Sequence, residues 1–214
     1  MVVGAIVLFV MAQSAPCQDT NEVIPVIQME GVPITTAIEN FARLSGQNYI
    51  FDPRLYAPYR NRDGKIIPEP LLTFRWEKMT AKQALARLLE ENNLYAVPMA
   101  NTPIVQISHI QHDAGVVDAA LLGNNTHAVI PVIKMQSVSV GAALKQLAKS
   151  AGIKVVVDTK LLKFSDEEDV SSTIISLHWK GVTARQAIIA ICENFGLDMV
   201  NDSTTGGVRI EWKK

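Results

Sequence analysis

One seven-residue string, written twice, constrains this chain more than anything else in it. Val23-Ile-Pro-Val-Ile-Gln-Met29 recurs as Val129-Ile-Pro-Val-Ile-Lys-Met135, 106 residues further on. A second pair, Trp76-Glu-Lys-Met-Thr-Ala-Lys-Gln-Ala84 and Trp179-Lys-Gly-Val-Thr-Ala-Arg-Gln-Ala187, recurs at an offset of 103. Two matches in the same order at nearly the same offset mean one structural unit used twice. The units run over residues 23–110 and 129–214, and residues 111–126 join them. Asp113-Ala-Gly115 and Gly123-Asn-Asn125 give that joining stretch the composition of a linker.

Each copy has a readable order of elements. Val23 to Met29 is rich in strand formers. Ile34, Ala37, Ile38, Phe41 and Ala42 then fall on one helical face, as do Val140, Ala143, Leu144, Leu147 and Ala148. Gly46 and Gly152 follow, placed to stop each helix in a left-handed cap. Short strands are expected at Tyr49–Phe51 and Val155–Val157, and again at Leu71–Trp76 and Thr173–Trp179. Thr80-x-x-Gln83 and Thr183-x-x-Gln186 are capping boxes that open a second helix. Its apolar face is Ala81, Ala84, Leu85, Leu88 and Leu89, matched by Ala184, Ala187, Ile188, Ile191 and Cys192. Two further strands close each copy, near Leu94–Met99 with Ile104–His109 and Leu197–Val200 with Val208–Trp212. The expected fold is therefore α+β: two tandem small βαβ-βαββ units, each with two helices packed against small mixed sheets.

The order and spacing of these residues resemble the secretin and TonB N-terminal short domain, in two tandem copies. The first copy carries Pro33-Ile-Thr-Thr-Ala37-Ile38, Phe41-Ala-Arg-Leu-Ser-Gly46, Ile50-Phe-Asp52-Pro53 and Phe74-Arg-Trp76 through Leu85. The second carries Val140-Gly-Ala-Ala143-Leu144, Ala151-Gly152, Val156-Val-Asp158 and Val182-Thr183 through Ile188. The long stretch from Arg54 to Pro70 departs from a compact unit of this kind. The resemblance implies a non-enzymatic periplasmic module that binds other proteins, or copies of itself, at outer-membrane transport or secretion machinery. A signalling or ligand-binding module that contacts a transmembrane regulator is the alternative it implies.

The N-terminus agrees with export. Val2 to Ala12 is an uncharged apolar run, far shorter than the roughly 20 residues of a membrane-spanning helix. Ala12-Gln13-Ser14 is a small-x-small cleavage site, so residues 1–14 read as a signal peptide with Ala15 the first mature residue. No Lys or Arg precedes the run, which departs from the usual charged start. A lipid-modified Cys17 fits poorly, because Pro16 abuts it and no Leu stands three residues before it. The expected address is the periplasm, with outer-membrane association through a partner.

Composition narrows the chemistry. Twenty Lys and Arg against 21 Asp and Glu leave a net charge of -1, opposing a dedicated nucleic-acid binder. Two cysteines, Cys17 and Cys192, make neither a disulfide framework nor a four-thiolate metal site. Cys192 occupies the core position of Leu89. His109-x-x-His112-Asp113 is the best metal candidate, but it sits at a strand end with no helix to align its donors. His178 reads as an exposed strand residue. Asp166-Glu-Glu-Asp169 lacks the spaced ligands and central glycine of a calcium loop. No phosphate-binding glycine loop, nucleophile elbow or His-Glu-x-x-His is present. The sequence therefore predicts no catalytic group, no cofactor and no metal.

Candidate contact residues lie in the two variable loops. The first carries Arg54, Tyr56, Tyr59, Arg60 and Arg62, of residue types favoured at interface centres. Its counterpart carries Asp166, Glu167, Glu168 and Asp169. Equivalent loops of opposite sign suggest that they meet, within one molecule or head to tail between molecules. Trp76 and Trp179 share one repeat position, which argues for a shared packing role.

Overall fold

The computed structural model describes residues 22–56, 59–60, 66–67, 69–109, 128–157 and 173–212. It is α+β, as expected. The first repeat supplies β1 (Val23–Pro33), α1 (Ile34–Ser45), β2 (Asn48–Phe51), α2 (Pro53–Tyr56), β3 (Tyr59–Arg60), β4 (Ile66–Ile67), β5 (Leu71–Thr80), α3 (Ala81–Glu91), β6 (Tyr95–Pro98) and β7 (Ile104–Ser108). The second supplies β8 (Val129–Ser139), α4 (Val140–Ser150), β9 (Val155–Val157), β10 (Ile174–Thr183), α5 (Ala184–Asn194), β11 (Leu197–Asp202) and β12 (Gly207–Trp212). The short helix α2 and the β3–β4 pair fall in a stretch read from sequence as loop.

The strand pairs open each repeat in the same way. β1 pairs antiparallel with β5, and β8 with β10. Both pairs run further than the apolar strings alone suggest, to Pro33 and Thr80 in the first copy and to Ser139 and Thr183 in the second. The prolines of the repeated string have a structural counterpart. Pro25 lies across from Lys78 (φ 54°), and Pro131 across from Gly181 (φ 64°). A proline donates no ladder hydrogen bond, so the opposite strand can twist locally into a left-handed residue. A second irregularity is also duplicated. The Gly31 amide donates to Thr73 Oγ1 at 3.1 Å, and the Ser137 amide (φ 50°) donates to Ser176 Oγ at 3.2 Å.

The helices start and stop as their sequences dictate. Thr80 Oγ1 accepts from the Gln83 amide at 3.2 Å while Gln83 Oε1 accepts from the Thr80 amide at 2.9 Å. Thr183 and Gln186 form the same reciprocal pair at 3.1 and 3.0 Å. α1 has no side-chain cap of its own. Its first amides go instead to the Pro70 carbonyl, from Ile34 at 3.1 Å, and to Glu69 Oε1, from Thr35 at 2.7 Å. That carboxylate also complements the positive end of the helix dipole. Gly46 ends α1 at φ 71°, and Gly152 follows α4 at φ 68°.

The chain condenses into two compact units that do not coincide with the two repeats. One comprises β1, α1, β5 and α3, within Met1–Gln47 and Ala57–Leu94. Its helix faces bury Ala37, Ile38, Phe41 and Ala42 from α1 and Ala81, Ala84, Leu85, Leu88 and Leu89 from α3. Trp76 stacks on Phe74 at 3.9 Å between centroids, Phe41 lies 6.2 Å away, and the Arg87 guanidinium sits 4.9 Å from the indole centroid.

The other unit comprises Asn48–Tyr56 and Tyr95–Lys214. It holds the whole second repeat and, with it, the β2–β7–β6 sheet of the first. The sequence places the boundary at residue 110; the contacts carry β2, β6 and β7 across it. The reason lies in α5. Every residue from Ala187 to Cys192 is buried, so the middle of this helix takes apolar cover on both sides. One side is its own repeat, with α4, β10 and the β11–β12–β9 sheet. The other is β2, and Ile50, Met99 and Ile104 of the first repeat join the same hydrophobic cluster.

Candidate functional site

The docking of the first repeat's sheet onto α5 and β10 is the most specific polar arrangement described in the molecule. All four residues of β2 are buried. Asn48 uses its side-chain amide as a short strand: Nδ2 donates to the Lys180 carbonyl at 2.9 Å, and Oδ1 accepts from the Lys180 amide at 2.7 Å. Trp179 Nε1 donates to the Tyr49 carbonyl at 2.6 Å. Asn194 Nδ2 donates to the Phe51 carbonyl at 3.0 Å, and Asn194 Oδ1 accepts from Gln106 Nε2 at 2.8 Å. The carbonyls of Tyr49 and Phe51 are thus satisfied by side chains of the second repeat. A buried edge strand requires such donors, because an orphaned buried carbonyl costs about 1–3 kcal/mol.

Arg54, the first of the sequence candidates, belongs to this unit and is held from within it. Asp52 is 2% exposed and follows β2. Its Oδ1 accepts from the Arg54 amide at 2.9 Å and from Arg54 Nε at 2.8 Å, and its Oδ2 accepts from Arg54 Nη2 and from Ser108 Oγ at 2.8 Å. Burial pushes the Asp52 carboxyl up. The bonds from the Arg54 side chain and amide and from Ser108 outweigh it, holding the group below the usual carboxylate range. The Arg54 side chain stays 61% exposed, so the guanidinium anchors the start of α2 and still presents a face to solvent.

The other loop candidates are dispersed or lie elsewhere in the chain. Tyr56 closes α2, and Tyr59 and Arg60 form β3, whose backbone pairs with Ile66 and Ile67. Arg62 and the acidic run Asp166, Glu167, Glu168 and Asp169 lie outside the described residues, as do residues 1–21, the joining stretch 111–126, His112 and Asp113. His109 is exposed just after β7. His178, expected to be exposed, is half-buried on β10 across from Lys134, on the strand face opposite the buried Leu177 and Trp179. Cys192 is fully buried, and burial raises its thiol pKa, aided by the nearby charges of Asp198 and Glu193. Among the described residues no cluster of three His, Cys, Asp or Glu could hold a metal, and no helix is long and apolar enough to cross a membrane.

Two surface features recur or stand out. Val23, Val26 and Leu71 are exposed on the first strand pair, and their equivalents Val129, Val132 and Ile174 are exposed on the second. Beside β9 lies an open groove of about 450 Å³, with Ala148, Ile153 and Val156 lining it and Lys145, Lys149 and Lys154 around it.

Sequence reasoning missed Asn48, Gln106 and Asn194. The available signal was the unbroken apolar run Ala187–Cys192, where the matching stretch of α3 carries Ala86 and Arg87. Comparison with family models, with curated proteins and with solved structures finds no match for this chain.

Proposed function

We propose that this chain is a non-enzymatic, exported protein-interaction module. It would act in the periplasm at outer-membrane transport or secretion machinery, in the manner of the secretin and TonB N-terminal short domains it resembles. One observation carries the reading. Val23, Val26 and Leu71 stand in solvent in the first repeat, and Val129, Val132 and Ile174 do so at the same places in the second. Scattered exposed apolar residues are ordinary, but the same set kept exposed on both copies has the character of a contact surface. Among the described residues both strand pairs are two-stranded, and their outer edges are suited to strand addition. The uncharged N-terminal run supports export.

The test is crosslinking in intact cells followed by purification of the tagged protein from the envelope fraction. An outer-membrane pore protein or receptor should be recovered with the wild type. It should be lost from a Val26→Glu, Val132→Glu double variant that keeps the wild-type unfolding midpoint. Recovery from the cytoplasm with an uncleaved N-terminus would contradict the reading.

A further inference from the structure

We propose that the groove beside β9 takes the headgroup of an acidic phospholipid and so docks this unit on an anionic membrane surface. The groove, of about 450 Å³, has Ala148, Ile153 and Val156 along its floor. Lys145 and Lys149 of α4 and Lys154, just before β9, stand around it. All three lysines are exposed. Among the described residues every ion pair uses an arginine, so none of these lysines has a carboxylate partner there. Asp202, beside the groove, accepts from the Thr204 amide at 3.0 Å and the Thr205 hydroxyl at 2.7 Å of its own turn.

The other repeat shows that the fold does not require this cluster. At the offset of 106, Lys145, Lys149 and Lys154 correspond to Glu39, Arg43 and Asn48. Glu39 and Arg43 have opposite charges at a helical i,i+4 spacing, in the favourable order, whereas Lys145 and Lys149 repel at that spacing. The second helix gives up a stabilising spacing for a destabilising one, and α4 carries no acidic residue to offset it. Gln47 becomes Ile153 at the same time, so the floor turns apolar where the rim turns cationic.

That combination fits an anionic amphiphile. Lysine stems lie along apolar surface while their ammonium groups reach outward, here towards phosphate oxygens. The floor meets the glycerol and the first methylenes of the chains. The three cations gather around one place from a helix and a strand end, which suits a compact headgroup. An extended acidic peptide would need cations spaced along a strand, and β9 has only three residues to pair with it. The site uses none of the exposed valines of the strand pairs, so it stands or falls apart from the protein-contact reading.

Co-sedimentation of the purified full chain with lipid vesicles tests it. The wild type should bind vesicles of equal parts phosphatidylglycerol and phosphatidylcholine, should not bind pure phosphatidylcholine, and should be released by salt. Lys149→Gln and Lys154→Gln should each weaken binding about fivefold. Lys82→Gln, which removes the same charge from an exposed position of α3, should leave it unchanged. An equal loss with Lys82→Gln would mean that net charge acts rather than the groove, and would overturn the proposal. So would equal binding to phosphatidylcholine, or full displacement at matched ionic strength by inorganic phosphate or an oligoglutamate peptide. A wild type that binds neither vesicle overturns it too. If a variant with Asp166→Asn, Glu167→Gln, Glu168→Gln and Asp169→Asn then binds, the occupant is this chain's own acidic run.

Discussion

α3 and α5 are one helix written twice, and they differ in how many faces they bury. Both open on a Thr-x-x-Gln capping box, and both bury the same five core positions. α3 then shows solvent Lys82, Ala86, Arg87 and Glu90, whereas α5 also buries Ile189, Ala190 and Asn194. Three substitutions account for most of the difference: Ala86 becomes Ile189, Arg87 becomes Ala190 and Glu91 becomes Asn194. Removing two charges and adding one branched side chain creates a second apolar face. Placing one amide at the helix end satisfies a strand carbonyl that burial would otherwise orphan. A repeated unit can thus acquire a joint without altering its fold, as in arrays whose stability is a sum of unit and interface terms.

Exchanging equivalent residues probes this contrast, beginning with the tryptophans. Trp179→Ala should cost about 4 kcal/mol in urea unfolding, combining a large cavity with an orphaned Tyr49 carbonyl. Trp76→Ala should cost less, because its indole stacks on Phe74 and beneath the exposed Arg87 rather than donating to a buried strand. Equal losses would mean that the two positions still share one role.

The helix ends should separate further. Asn194→Ala strands the Phe51 carbonyl and the Gln106 amide and should cost about 2 kcal/mol, whereas Glu91→Ala removes an exposed pair worth about 0.5 kcal/mol or less. Matching shifts in the urea midpoint would contradict the assignment of Asn194 to the joint.

Acid should act first on the second unit. The Asp52 carboxyl is held below its unfolded value near 3.8. Its contribution is therefore complete above the unfolded value and is lost as pH falls through the lower folded one. A melting-temperature profile from about pH 5 to pH 2 should be flatter for Asp52→Asn than for wild type. A parallel profile would mean that other carboxylates govern acid unfolding.

The smallest effects concern the backbone. Lys78 and Ser137 occupy left-handed positions where the other repeat has Gly181 and Gly31. Lys78→Gly and Ser137→Gly should each raise stability by about 0.5 kcal/mol, as relief of left-handed strain exceeds the entropy glycine adds to the unfolded chain. A loss would show that the side chains contribute contacts beyond their backbone cost.

The local grammar was legible in the sequence. Both capping boxes, the glycine stops and all five core positions of each second helix stand where the patterns place them, because caps and amphipathic faces are set by neighbours a few residues away. The partition into compact units was not legible. It depends on Asn48 reaching Lys180 and on Phe51 reaching Asn194, contacts between residues more than a hundred apart, and asparagine in a short strand carries no periodic signal. Arg54 was singled out for an exposed loop. Its guanidinium is instead tied to Asp52, whose acceptor role shows only when β2 and β7 bring Ser108 beside it.

Above all, β2, β7 and α5 stabilise one another as one cooperative body. Hydrogen exchange on the full chain, wild type against Asn194→Ala, probes this without an intermediary. Protection should fall together in β2, β7 and α5, while β1, β5, α1 and α3 keep theirs. Protection lost in α1 and α3 along with β2, and retained in α5, would show instead that the first repeat folds as its own body.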